Sequence, residues 1–65
     1  MESIEQLTKQ AKAKIITECL GKEVSENQIK ALSTGVDWRI NLRALGDLID
    51  EGRAVKLPTG EYKIS

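Results

Sequence analysis

The chain has 65 residues, 40% of them hydrophobic and 31% charged, which gives room for one small domain and a composition outside the disordered class. Ten basic and ten acidic residues cancel overall and within each half, so bulk charge attracts neither nucleic acid nor a membrane surface, and any such contact must come from local arrangement. There is no histidine and one cysteine, Cys19, which excludes an internal disulfide and leaves no metal-ligand spacing and no nucleophile with a histidine base.

The first residues, MESIEQ, place acids where a signal peptide needs a basic region, and no apolar run follows them. No segment approaches membrane-spanning length. The expectation is a cytoplasmic, non-enzymatic protein with no cofactor and no membrane partner.

Ser3 with Gln6 fits a capping box. Ile4, Leu7, Ala11, Ile15 and Cys19 then recur at helical spacing until Gly21, which predicts a helix over 3–20. Ile16 and Leu20 fall off this stripe, so the last turn is expected to be covered on more than one side. Residues 22–24 can form a short strand through Val24, turning a two-stranded ribbon into a three-stranded sheet. Ser25 and Gln28 open a second capping box, and Ile29, Leu32 and Val36 face inward from a helix over 26–34 that Gly35 terminates.

A tight Ser-Thr-Gly-Val turn leads to Asp37, a suitable N-cap for a third helix over 38–51. In the most compact helix-turn-helix spacing Asn41 falls at a normally apolar position, so a looser turn is expected. Trp38, Leu42, Leu45, Leu48 and Ile49 gather on one face of this helix; Arg39, Arg43, Asp47 and Asp50 lie away from it, with Ile40 almost opposite the core. Gly52 ends the helix. Two runs of alternating residues about Pro58-Thr59-Gly60 then predict a β-hairpin over 53–64, with Val55, Leu57, Tyr62 and Ile64 toward the helices and Lys56 and Lys63 outward. The predicted fold is α+β, a single domain over 1–65.

Leu45, Leu48, Gly52 and Val55, with a turn-rich hairpin directly behind them, resemble the end of the third helix and the wing of winged helix-turn-helix (winged-helix) domains. The resemblance implies a duplex-DNA-binding protein, a small transcription regulator or the DNA-binding subunit of a larger assembly. It places Arg39, Ile40 and Arg43 against bases in the major groove. It places Ser25, Asn27 and Lys30 on phosphate, and Lys56, Lys63 and Thr59 in a wing contact.

Each of these residues also has a plainer use. Arg39 and Arg43 can pair with Asp47 and Asp50 as a solvated salt-bridge face, and the two hairpin lysines can discourage edge association. Trp38 fits a core or turn anchor, and Cys19 a small buried hydrophobe. Gly46 costs about 1 kcal/mol inside a helix relative to alanine and fits a close approach of another backbone, from the first helix or from a partner. The rival function is a protein-interaction module of the same fold, docking a partner chain through the third helix or the sheet edge. A homodimer would have to pair through the first helix or the wing.

Overall fold

Capping chemistry sets the helix starts. Ser3 Oγ accepts the Gln6 amide at 3.2 Å. Ser25 and Gln28 form the full reciprocal box, Gln28 N–H to Ser25 Oγ at 3.2 Å and Ser25 N–H to Gln28 Oε1 at 2.7 Å. The computed structural model describes residues 3–65, so residues 1 and 2 of the expected domain, with the start of the MESIEQ segment, lie outside the described residues. Its elements are α1 (Ile4–Cys19), β1 (Glu23–Val24), α2 (Glu26–Ala31), α3 (Trp38–Asp50), β2 (Ala54–Lys56) and β3 (Tyr62–Ile64). This is the expected α+β order, a winged-helix-like layout. No helix among the described residues is long and apolar enough to cross a membrane.

The core joins Ala11, Ile15 and Cys19 of α1 to Ala44, Leu45 and Leu48 of α3, with Ile29 from α2 and Val24, Ala54 and Ile64 from the sheet. Each large aliphatic side chain buried there contributes about 1.5–3 kcal/mol. Burial pushes the Cys19 thiol pKa up, as expected of a small hydrophobe. At the start of α1 the stripe differs from expectation. Ile4 is exposed and Leu7 half-buried, while Thr8 is buried with its hydroxyl donating to Ile4 O at 2.7 Å; satisfying its hydroxyl on the helix's own backbone lets threonine sit inside. At the other end Ile16 packs against the core and Leu20 stays exposed.

α2 stops at Ala31, short of the predicted 34, because Leu32 leaves the helix in an extended conformation. Gly35, at φ 82, therefore shapes the loop to α3 and does not terminate α2. Asn41, fully buried, fills the space beneath that loop. Its Nδ2 donates to Ile29 O at 3.1 Å and Leu32 O at 3.2 Å, and its Oδ1 accepts from Thr34 Oγ1 at 2.5 Å. Gln10 Nε2 of α1 donates to Thr34 O at 2.8 Å. One asparagine thus ties the last carbonyls of α2, which also accept the Leu32 and Thr34 amides, to α3 and the loop. This is also the physical reason for the looser turn.

α3 ends in a Schellman arrangement: Arg53 N–H bonds Leu48 O at 2.8 Å and Gly52 N–H bonds Ile49 O at 3.0 Å, with Gly52 at φ 78. The sheet order is β1-β3-β2, antiparallel throughout, with Val24 opposite Tyr62 and Ala54 opposite Ile64. Leu57 N–H to Glu61 O at 2.7 Å and Gly60 N–H to Leu57 O at 2.9 Å close a three-residue loop, Gly60 at φ 91. A loop of three residues pairs 57 with 61, 56 with 62 and 54 with 64. Tyr62 and Ile64 can then face the helices only if Ala54 and Lys56 share their side of the ribbon. The expectation that Val55 faces inward is overturned: it lies opposite Lys63 on the outer face, 55% exposed.

Candidate nucleic-acid interface

α3 buries Asn41, Ala44, Leu45 and Leu48, a face turned toward the carbonyls of α2. Turning Asn41 in rotates the helix away from the phase that its apolar residues alone predict. Trp38 and Ile49, expected in the core, come to the surface; Trp38 is 50% exposed. Ile40, expected to face bases, is half-buried and packs against the core.

The N-terminal end of α3 then carries a cluster drawn from two helices. Lys30 Nζ of α2 lies 5.1 Å from the centre of the Trp38 ring, and Arg39 Cζ lies 6.0 Å from it, distances at which a cation is attracted to the indole face. Asp37 holds Arg39 from behind. Its carboxylate accepts the Arg39 amide at 2.9 Å, as an N-cap does, together with Nε at 3.2 Å and Nη2 at 3.0 Å. Hydrogen bonds from the Arg39 side chain, then from its amide, hold the Asp37 carboxyl below its usual range, and the same side-chain bond raises the guanidinium. The ion pair Arg39 makes is therefore with Asp37, not with the Asp47 and Asp50 of the salt-bridge expectation. The indole and two cations form an exposed aromatic and cationic cluster, with Asp37 offsetting the charge of Arg39.

The other expected residues divide. Arg43, one turn beyond Arg39, is exposed and lines an open groove between α3 and the first half of α1, shared with Lys9, Lys12 and Asp47. Lys12 is paired there with Glu51 at 2.6 Å. Ser25 has its hydroxyl engaged in the cap of α2, and Asn27 is exposed on the same turn. Thr59 at the hairpin tip accepts the Glu61 amide at 3.4 Å. Lys56 and Lys63, both expected to point outward, belong to opposite faces of the ribbon, because Lys56 pairs with Tyr62 and Lys63 with Val55.

Comparison of the chain with protein families, with curated proteins and with solved structures finds no match. The site's chemistry therefore rests on its own geometry. Among the described residues no group of three or more acidic, cysteine or histidine side chains is placed to hold a metal ion. Sequence reasoning missed Trp38 as a surface residue. The signal was present in Asn41: its misfit in the compact turn is removed if the asparagine is the buried residue, and centring the buried face near Asn41 carries Trp38 and Ile49 to its border.

Proposed function

We propose that the chain is a non-enzymatic winged-helix module that binds duplex DNA through the exposed side of α3, as a small transcription regulator or a DNA-binding subunit. The observation that carries this reading is the Lys30–Trp38–Arg39 cluster at the free end of α3. Lys30 meets a phosphate, Trp38 lies flat against the sugar–phosphate wall of the groove, and Arg39 reaches base edges with Arg43 beside it. To do so Arg39 exchanges the Asp37 carboxylate for a base or phosphate, so part of the gain is offset and affinity is modest. Ile40 leaves the contact set because it serves the core. From the wing, one of Lys56 and Lys63 faces a given backbone at a time.

The test is a titration of labelled random-sequence duplex into the protein at low salt, following backbone amide shifts and repeated at higher salt. Shifts clustered at Lys30 and Trp38–Arg43 are expected. With about three phosphates neutralised, the slope of log affinity against log salt is about −3. A spectrum that stays still at the highest soluble protein concentration overturns the reading. The rival, a protein partner docking on the same helix, is favoured by one observation: Trp38, Leu42 and Ile49 form a partly exposed apolar border beside the arginines. A partner chain that shifts those three residues when DNA does not would establish it.

A further inference from the structure

Four of the five glycines, Gly21, Gly35, Gly52 and Gly60, have φ between 75 and 91, where a side chain is strained. Gly46 is different. It lies inside α3 in ordinary helical conformation, it is exposed, and a Cβ built on it meets no heavy atom within 4 Å. Neither the backbone nor any contact among the described residues requires glycine there, although glycine is among the poorest helix formers.

Its position along the helix is informative. Arg39, Arg43, Gly46 and Asp50 are spaced four, three and four residues apart, one line along the exposed side of α3. Cations occupy the first half of that line, a bare backbone the middle and a carboxylate the end. From Arg39 to Gly46 the helix rises about 10 Å, close to three base-pair steps of duplex. Resting on the DNA reading above, we propose that Gly46 is where the α3 backbone comes closest to bound duplex. The phosphate wall packs directly on the helix at that turn, and Asp50, one turn beyond, marks where α3 leaves the groove. A side chain at 46 holds the helix off and lengthens the reach required of Arg39 and Arg43.

Gly46→Ala and Gly46→Gln test this, because alanine and glutamine favour the helix and meet open space. The thermal midpoint of Gly46→Ala should rise by about 5 °C. Its affinity for a labelled random duplex at low salt should fall about five- to tenfold, and that of Gly46→Gln further. A more stable protein that binds DNA less well is not the result of damage to the fold. Wild-type binding matched by both variants overturns the role of Gly46 and leaves the proposed function standing; no binding by the wild type overturns both. Antiparallel pairing of two α3 helices would set Arg39 against Asp50 and Arg43 against Gly46 of a second copy. A wild-type dimer that Gly46→Ala dissociates, with DNA affinity unchanged, overturns the proposal in favour of self-association.

Discussion

The two sides of α3 invert the usual assignment of residue types: the inward side buries an asparagine completely and the outward side leaves a tryptophan half in solvent. The inward side is decided by hydrogen-bond satisfaction. At the end of the short α2, Ile29 O and Leu32 O each accept one backbone amide, from Leu32 and Thr34, and Asn41 Nδ2 reaches both as a second donor. An apolar residue there would gain burial but remove three hydrogen bonds and leave the buried Thr34 hydroxyl without its acceptor, and lost buried hydrogen bonds cost more than the burial returns. The outward side has no such demand on it. Trp38 lies outside the core cluster, with Lys30 and Arg39 against its ring.

The largest expected effect tests the inward side. Asn41→Leu removes three hydrogen bonds and leaves the buried Thr34 hydroxyl without its acceptor, while Ile29 O and Leu32 O keep only their backbone donors, so urea unfolding should show a loss of about 3 kcal/mol. In a domain this small that is a large share of the total stability. A loss under about 1 kcal/mol would mean that the rotation of α3 has another cause. Thr34→Val is the milder version. It removes the hydroxyl that donates to Asn41 Oδ1 and keeps the shape, so a loss of about 1–2 kcal/mol is expected in the same measurement.

The order of elements was legible in the sequence because its signals are local. Ser3, Ser25 and Asp37 announce helix starts, Gly52 announces a stop, and Pro58-Thr59-Gly60 announces a turn; each acts within about five residues. Facing was less legible because it depends on contacts between elements. The phase of α3 follows from carbonyls nine and twelve residues earlier in the chain, reached by Asn41. The side taken by Val55 follows from the parity of the hairpin loop, which alternation within a single strand does not reveal. Of the candidate site, Arg39 and Arg43 share a face by their spacing, Lys30 enters through the winged-helix resemblance, and all three are exposed. An indole in an amphipathic pattern reads as burial, which hides the exposure of Trp38, and alternation within single strands puts the two hairpin lysines on one side where the loop's parity separates them.

On the outward side, Trp38→Ala should separate function from stability. The side chain is half in solvent and lies outside the core cluster, so the unfolding free energy should stay within about 1 kcal/mol of wild type, the value of an exposed cation–π contact. DNA affinity should fall on the order of tenfold, as for an aromatic that anchors a contact. The single indole reports its own engagement: quenching of its fluorescence by duplex, reversed by salt, is expected. Equal destabilisation by Trp38→Ala and Asn41→Leu would erase the distinction between the two sides of the helix.

The smallest effect concerns the pair that joins the cap of α3 to its exposed cluster. Asp37 has a folded-state pKa below its usual value, set first by the hydrogen bonds from the Arg39 side chain. A depressed carboxylate contributes stability that is fully present above the unfolded-state value of about 3.9 and is lost as the pH falls through the folded-state value. Asp37→Asn keeps a side-chain oxygen for the cap and removes the charge. The difference in thermal midpoint between wild type and Asp37→Asn should therefore be constant from neutral pH down to about pH 5 and shrink at more acid pH. Asp37→Asn also releases the Arg39 guanidinium, whose side chain is largely exposed. At neutral pH, where the carboxylate competes with phosphate for the same donors, the variant should bind duplex a few-fold more tightly than wild type, and the advantage should fade in high salt. A variant that loses the acid-side difference without gaining affinity would show that Arg39 serves the helix cap and not the bound duplex.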